Sequence, residues 1–278
     1  MNPGAAIPSS HEMEPLNESV RWCIVHDPGP PSEISEPVWN MALDSFNLDC
    51  VVRNRSVARM RLYQWSGPAI TLGKFQDPGR SVNIELCRDQ DIPIARRPTG
   101  GRGILHGSDL TVSLAISLET LGLNDSTSIT DIYGSLSAAL LAAFASVGLK
   151  AARGCCQRPD RGHSADCMAT VSRADIVLAS SGVKLLGAAL LRRTGCVLLQ
   201  CTIPANADSA RWQRLQSAVF SGPAMCAPLA PIVSLRKLRA ALVNEMRSRL
   251  GAPPELYELD RIAVQQVIDR SVEHQIAI

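Results

Sequence analysis

Apolar and polar positions along this chain follow two periods, one helical and one alternating. Val38, Met41, Ala42, Phe46 (or Ser45) and Val52 fall near helical spacing, which predicts a helix from about Val38 to Val52. Before it, Arg21–Val25 reads as a first strand and Pro28 to Pro37 as a turn-rich loop. Strands are predicted at Met60–Trp65 and Ala69–Leu72, divided by a Ser66-Gly67-Pro68 turn. Ile84–Asp89 reads as a short helix, Pro93–Arg96 as a strand, Arg97–Gly103 as a glycine-rich loop and Leu110–Ile116 as a strand. The clearest helix is Ile129–Val147, with Ser128 or Thr130 to cap its start and Gly148 to end it. Residues 153–174 are irregular and polar. A three-strand meander follows: Asp175–Ala179, Val183–Leu191 and Gly195–Ile203. Its predicted turns are Ser180-Ser181-Gly182 and Arg192-Arg193-Thr194. The C-terminal part is helical, from Leu235 to Leu250, closed by Gly251, and again from Arg261 to Val272. Strands and helices in this order predict an α+β domain around a mixed sheet flanked by helices. It would span residues 21–230, after a flexible tail of residues 1–20 and before a helical extension of residues 231–278.

Composition narrows the classes. At 46% hydrophobic and 19% charged residues, 278 residues can bury a sizeable core, which excludes a disordered chain. A formal charge of +2 argues against a nucleic-acid binder. The longest apolar runs, Ala138–Ala145 and Val183–Leu191, are too short to cross a bilayer, so no membrane partner is expected. Met1 to Glu14 lacks a charged-then-apolar leader pattern, and a cytoplasmic protein is expected. The nine cysteines are then free thiols rather than a disulfide frame. Only four lysines stand against 24 arginines: Lys74, Lys150, Lys184 and Lys237. A lysine kept in that background invites a specific reason.

Three segments carry candidate chemistry. In Arg96-Arg97-Pro98-Thr99-Gly100-Gly101-Arg102-Gly103-Ile104-Leu105-His106, three glycines in four residues let backbone approach a ligand and aim N–H groups at an oxygen. An ordinary tight turn has the same composition, and a lone His106 is more often structural than catalytic. Cys167, in Ser164-Ala165-Asp166-Cys167-Met168, ends an irregular stretch that feeds a strand, a common place for a nucleophile. The ordinary fate of a free cysteine is burial as a small apolar residue. Lys184 lies among apolar residues just past a predicted turn. It could pair with a thiolate or position an acyl group, or simply guard an edge strand. Cys155, Cys156, His163 and Cys167 fall within thirteen residues, but the spacing lacks C-x2-C pairs and a second half-site, so no metal is expected.

Taken together these segments resemble the lipoate–protein ligase, octanoyltransferase and biotin–protein ligase superfamily. The resemblance runs from about Trp39 to Ile203. It includes Asn40-Met41-Ala42-Leu43-Asp44, Arg61-Leu62-Tyr63-Gln64-Trp65, Thr71-Leu72-Gly73-Lys74-Phe75-Gln76, the Arg96–His106 segment and Gly182-Val183-Lys184-Leu185-Leu186-Gly187. It implies a class II synthetase or biotin/lipoate-ligase-like catalytic domain. Cys167 is similar to the acyl-thioester cysteine of the octanoyltransferases that resemble lipoate ligases. The implied activity is transfer of an octanoyl group from acyl carrier protein, through Cys167, to a lysine of a lipoyl domain or of the glycine-cleavage H protein. Lys184 would assist. Arg97, Thr99, Gly100, Gly101, Arg102, Gly103, His106, Gly187 and Ala188 would bind the acyl group.

That chemistry is coherent in itself. The thiolate is the nucleophile, and a free thiol is mostly protonated at neutral pH, so a neighbouring ammonium helps. Two thioester steps need no cofactor. Glycine-loop N–H groups could hold the acyl oxygen, and Leu185, Leu186 and Leu198 could line a tunnel for the chain. The sequence departs from the family pattern at Gly107, Met168, Ala188-Ala189-Leu190 and Gln200-Cys201. These changes would make the pocket less polar. Two further readings follow: an ATP-dependent lipoate–protein ligase using ATP and Mg, with Lys184 holding the acyl-adenylate, and a non-catalytic acyl- or carrier-binding homologue.

Overall fold

Alternation along the central strands decides what each face of the main sheet can do. A computed structural model describes residues 20–154, 167, 171–205, 211, 214–215 and 233–276. The first strand, β1 (Arg21–His26), leads into helix α1 (Glu36–Arg53), then β2 (Val57–Gln64) and β3 (Ala69–Leu72). Short helices α2 (Pro78–Ser81) and α3 (Ile84–Asp89) precede β4 (Ile94–Arg96), β5 (Ile104–His106) and β6 (Asp109–Ser117). Helix α4 (Ile129–Ser146) is followed by β7 (Ala151–Arg153), β8 (Ile176–Leu178), β9 (Lys184–Arg193) and β10 (Cys196–Pro204). Helix α5 (Leu235–Leu250), β11 (Glu255–Glu258) and helix α6 (Arg261–Ser271) complete the order.

The main sheet runs β11-β1-β2-β6-β10-β9-β8-β7, and a small sheet runs β4-β3-β5. β1 is parallel to both β11 and β2, and the remaining pairs of the main sheet are antiparallel. On one face, Met60 and Leu62, Leu110, Val112, Leu114 and Ile116, and Val197, Leu199 and Ile203 pack with α4 and α5 into the largest apolar cluster. The alternate positions turn toward α1. There β2 presents Arg61 and Tyr63, β6 presents Thr111 and Ser113, and β10 presents Gln200 and Thr202, all buried. A period of two has thus sorted an oily face from a polar one. The polar face holds the site.

Local signals explain the helix ends. Ser128 caps α4 through an Oγ that accepts from the Asp131 N–H, and Asn83 and Asp260 do the same for α3 and α6. Gly148 and Gly251 take the left-handed conformation just past α4 and α5. By length and composition alone, α4 could cross a membrane. The expectation above counted only uninterrupted apolar runs. In this fold Ile132, Leu136, Leu140, Ala143 and Phe144 of α4 pack into the sheet-side core.

Several boundaries differ from the sequence reading. β9 continues through Arg192 and Arg193, and the turn after it is Thr194-Gly195, not Arg192-Arg193-Thr194. Both turn residues have positive φ, 49° and 68°, the twist that a two-residue hairpin requires. β2 begins at Val57 rather than Met60, because Val57 and Ala58 pair with Arg21 and Trp22 of β1. Strands β5, β7 and β11 and helix α2 are three or four residues each. A periodic pattern needs more residues than that to show itself.

Candidate active site

Cys167 is held by its own backbone. Its N–H donates to the carbonyl of Gly103 at 2.9 Å, which ties the cysteine to the glycine loop. Lys184, at the start of β9 and 1% exposed, reaches the same residue from the sheet. Its Nζ donates to the Cys167 carbonyl at 2.8 Å and lies 3.7 Å from Cys167 Sγ. It also meets the Asp175 carboxylate at 3.0 Å, and Asp175 is only 3% exposed. The other Asp175 oxygen accepts from the Ala188 N–H, and Ser172 N–H donates to the first at 2.7 Å. A register shift where β8 meets β9 brings this corner together.

The thiol faces a pocket of about 390 Å³. Its lining includes Arg97, Gly101, His106, Gly187 and Ala188 of the residues expected at the site, together with Met41, Trp65 and Gln200. Thr99 acts one step back: its hydroxyl donates to Gln200 Oε1 at 2.7 Å. The carbonyls of Gly100 and Arg102 accept from Arg97 Nη2 at 3.1 and 2.8 Å, and Gly103 holds Cys167. Every residue expected at the site therefore lies in the pocket wall or bonds directly to a group that does.

Arg97 organises the loop from beneath. Besides those two carbonyls it bonds the carbonyl and hydroxyl of Thr71 at 3.1 and 3.0 Å. Among the described residues no carboxylate pairs with it. Burial pushes the guanidinium below its ordinary range, and the electrostatic influence of Cys167 and Tyr63 acts the other way. An unneutralised cation thus sits in the wall of the thiol's pocket. His106 is structural in its bonding although it lines the pocket. Nδ1 is 2.8 Å from Asp109 Oδ2, Nε2 is 2.8 Å from the Thr71 hydroxyl, and the ring stacks on Trp65 at 3.9 Å. The Asp109 carboxylate accepts from Nδ1–H, and the Thr71 hydroxyl, which itself accepts from Arg97, partners Nε2.

A second network fixes α1 against this wall. Arg61 donates to Asp44 Oδ1 at 2.6 Å, to Asp27 Oδ2 at 2.5 Å and to Asn40 Oδ1 at 2.8 Å. Gln200 Nε2 donates to Asp44 Oδ2 at 2.7 Å, and its other end accepts from Thr99. The Asn40–Asp44 and Arg61–Trp65 motifs thereby reach the glycine loop through three side chains. Gly73 completes the support. A Cβ there would stand 1.9 Å from the Gly101 carbonyl oxygen, so only glycine lets the two loops touch.

Sequence reasoning missed Asp175, read only as a strand start, and also Asp109, Gln200 and Trp65 as site groups. Two expectations are corrected. Leu185, Leu186 and Leu198 line no acyl tunnel: the first two join the α4–α5 core, and Leu198 packs under α1. The pocket walls are Met41, Tyr63, Trp65 and Ile104 instead. Nor does Gly107 cost the site an acid, because Asp109 supplies a carboxylate to His106 two residues further on, and the Gly107 N–H donates to its other oxygen at 3.0 Å. The change at Cys201 falls outside the pocket, since that side chain points into the opposite core. Met168 and three members of the metal cluster considered above, Cys155, Cys156 and His163, lie outside the described residues.

Of the cysteines, Cys23, Cys50, Cys87, Cys167, Cys196 and Cys201 are described and free. Burial pushes Cys87 up to about 11 and raises Cys23, Cys196 and Cys201 as well, so these thiols are poor nucleophiles. Cys167 is the one among the described six that lines the pocket.

Residues 36–250 match the Lipoyl protein ligase A/B catalytic domain, and the chain belongs to that family. Octanoyltransferase LipM of Bacillus cereus is 30% identical over 194 residues, 68% of this chain and 66% of that relative. The chain therefore spans just under two thirds of the length of this relative. Among solved structures, a lipoate-protein ligase A bound with ATP superposes with a TM-score of 0.73 at 19% identity, covering 92% of this chain and 95% of that one. A chain from the structure of a bipartite lipoate protein ligase and its lipoyl domain from Thermoplasma acidophilum gives 0.69 at 17% identity, covering 91% and 93%. At these identities the structural likeness speaks for the shared α+β fold.

Proposed function

We propose that the protein transfers an octanoyl or related acyl group to a lysine of another protein, through a thioester on Cys167. The observation that carries this reading is the Lys184 ammonium 3.7 Å from a cysteine sulfur that opens on a pocket. The Cys167 thiolate attacks the carbonyl carbon of a donor thioester. The new C–S bond forms as the donor's C–S bond breaks, and the donor sulfur leaves as a thiol, with the proton that the Cys167 thiol gave up. A lysine amine of the acceptor then attacks the same carbon. Its proton passes to the departing Cys167 sulfur, and the amide is made without ATP. Lys184 and Arg97 supply positive charge beside the sulfur, and the loop amides are the donors suited to the acyl oxygen.

The names of the sequence relatives support the octanoyl group as cargo. Acyl carrier protein is then the donor, and a lipoyl domain or glycine-cleavage H protein the acceptor. A free thiol nucleophile fits the reducing cytoplasm. The test is to incubate the protein with octanoyl-acyl carrier protein, without ATP, and weigh it intact. An octanoyl adduct absent from Cys167→Ala is expected.

A second reading, ATP-dependent lipoate–protein ligation, draws on a different use of the same groups. Two buried cations at one pocket wall also suit an acyl-adenylate, whose phosphate carries negative charge, and such a ligase needs no thiol. No mass adduct, together with ATP-dependent modification of a lipoyl domain by both wild type and Cys167→Ala, selects this reading and removes the first.

A further inference from the structure

A larger hollow, about 970 Å³ and open to solvent, lies between the same two elements and shares Arg97 with the catalytic pocket. Where Met41 and Ala189 line the first, Ser45, Leu48 and Leu191 line the second, and Arg97 borders both. Its character is different. Five cations, Lys74, Arg96, Arg97, Arg193 and Arg270, face three carboxylates, Asp49, Asp269 and Glu273. Asp49 is already claimed by Arg193 and Arg270. Burial pushes His274 below its ordinary value, so this ring adds no charge at neutral pH.

Two of the cations are poised for something outside the chain. Arg96 uses Nη1 alone, on the carbonyls of Gly73, Lys74 and Gln76 at 3.2, 3.0 and 2.8 Å. These bonds fix the guanidinium in place while Nε and Nη2 make no bond to any described residue. Lys74 is exposed and meets no carboxylate among the described residues. A guanidinium held rigidly by carbonyls beside an exposed ammonium that, among the described residues, meets only the Phe75 ring, at 5.8 Å, in a cavity of net positive charge, is an oxyanion seat, and a phosphate matches it best.

We infer that this hollow seats the phosphate of the acyl donor's carrier arm, a 4′-phosphopantetheine group whose far end presents the thioester to Cys167. The inference rests on the proposed function for the identity of the donor. It explains why the hollow adjoins the thiol's pocket and why Lys74 is a lysine at the rim.

The binding test does not depend on transfer. Full-length protein is titrated by calorimetry with pantetheine and with 4′-phosphopantetheine, which differ by the phosphate alone. The phosphorylated compound is expected to bind at least about 10-fold more tightly, with the gap closing in Lys74→Glu and at about 0.5 M salt. Equal affinities, or a gap unchanged by Lys74→Glu, overturn the inference. So does inorganic phosphate binding as tightly as the arm, which would mark a general anion site. Acylation of Cys167 by the octanoyl thioesters of both compounds is followed separately. Failure of both to acylate sinks the thioester function, while the calorimetry still decides the phosphate seat.

Discussion

The Lys184 ammonium stands 3.7 Å from Cys167 Sγ but gives its shorter contacts to the carbonyl of Cys167, at 2.8 Å, and to Asp175, at 3.0 Å. The lysine therefore does two things at once. It anchors the backbone that carries the sulfur, and it leaves one direction of its charge for the sulfur itself. An arginine cannot do both from the same space, because its planar fork is larger and its charge is spread. Lys184→Arg is expected to lower Cys167 acylation by about 100-fold or more, read by intact mass against time.

Asp175 balances that buried charge. Asp175→Asn leaves an ammonium buried without its counter-ion, a change that costs about 3–5 kcal/mol when such pairs are broken. A fall in melting temperature is expected along with slower acylation. The double variant Lys184→Met/Asp175→Leu should regain most of the stability and none of the activity. Recovery of activity in the double variant would remove Lys184 from the chemistry.

Gly73→Ala tests the contact between the two loops. With only 1.9 Å between the added carbon and the Gly101 oxygen, one loop must move. Overpacking of this kind costs about 1–3 kcal/mol, measurable by urea unfolding. Acylation is expected to fall further than stability, since Gly101 lines the pocket.

Acid should loosen the fold in two steps. His274 donates from Nδ1 to the Arg96 carbonyl at 2.7 Å and accepts at Nε2 from Ser45 at 3.0 Å. Burial, in the main, holds its proton affinity below the ordinary value of 6.5. The unfolded chain then takes up the proton first as pH falls, so the stability from the neutral ring is complete above 6.5 and lost as pH drops through the lower folded value. Asp27 gives the second step. Burial alone would raise it, but Arg61, Trp39 and the Gly29 N–H together hold it below the ordinary 3.8. Its contribution is complete above 3.8 and lost below. Melting temperature against pH should show both declines, with His274→Gln flattening the first and Asp27→Asn the second.

Much of this site was legible in the sequence. Three glycines in four residues, a cysteine before a strand and a lysine in an apolar run each mark a local departure from the pattern, and the structure brings all three together. The long helices and central strands were legible too, because Ile129–Ser146, Lys184–Arg193 and Cys196–Pro204 are long enough to repeat their period several times. Asp175 was hidden, because a carboxylate at the start of a strand looks like any solvated end until the fold buries it. Gln200 was hidden for the opposite reason: it sits in an apolar strand, and only the choice of face decides that it meets Asp44 and not the oily core. The acyl tunnel was misassigned on the same ground. Leu185, Leu186 and Leu198 are apolar enough, but their side of the sheet is settled by neighbours far along the chain.

The link from Asp27 through Arg61, Asp44, Gln200 and Thr99 has a consequence for how the protein matures. Its members span residues 27 to 200, and β10, which carries Gln200, is inserted between β6 and β9 in the middle of the sheet. Until that late strand joins, the glycine loop lacks its tether to the first helix. Chains with such distant pairings fold slowly, because loop closure must precede the contacts that reward it. A nascent chain would thus show its thiol before it has a pocket, and catalytic competence would arrive abruptly with one central strand rather than grow along with the fold.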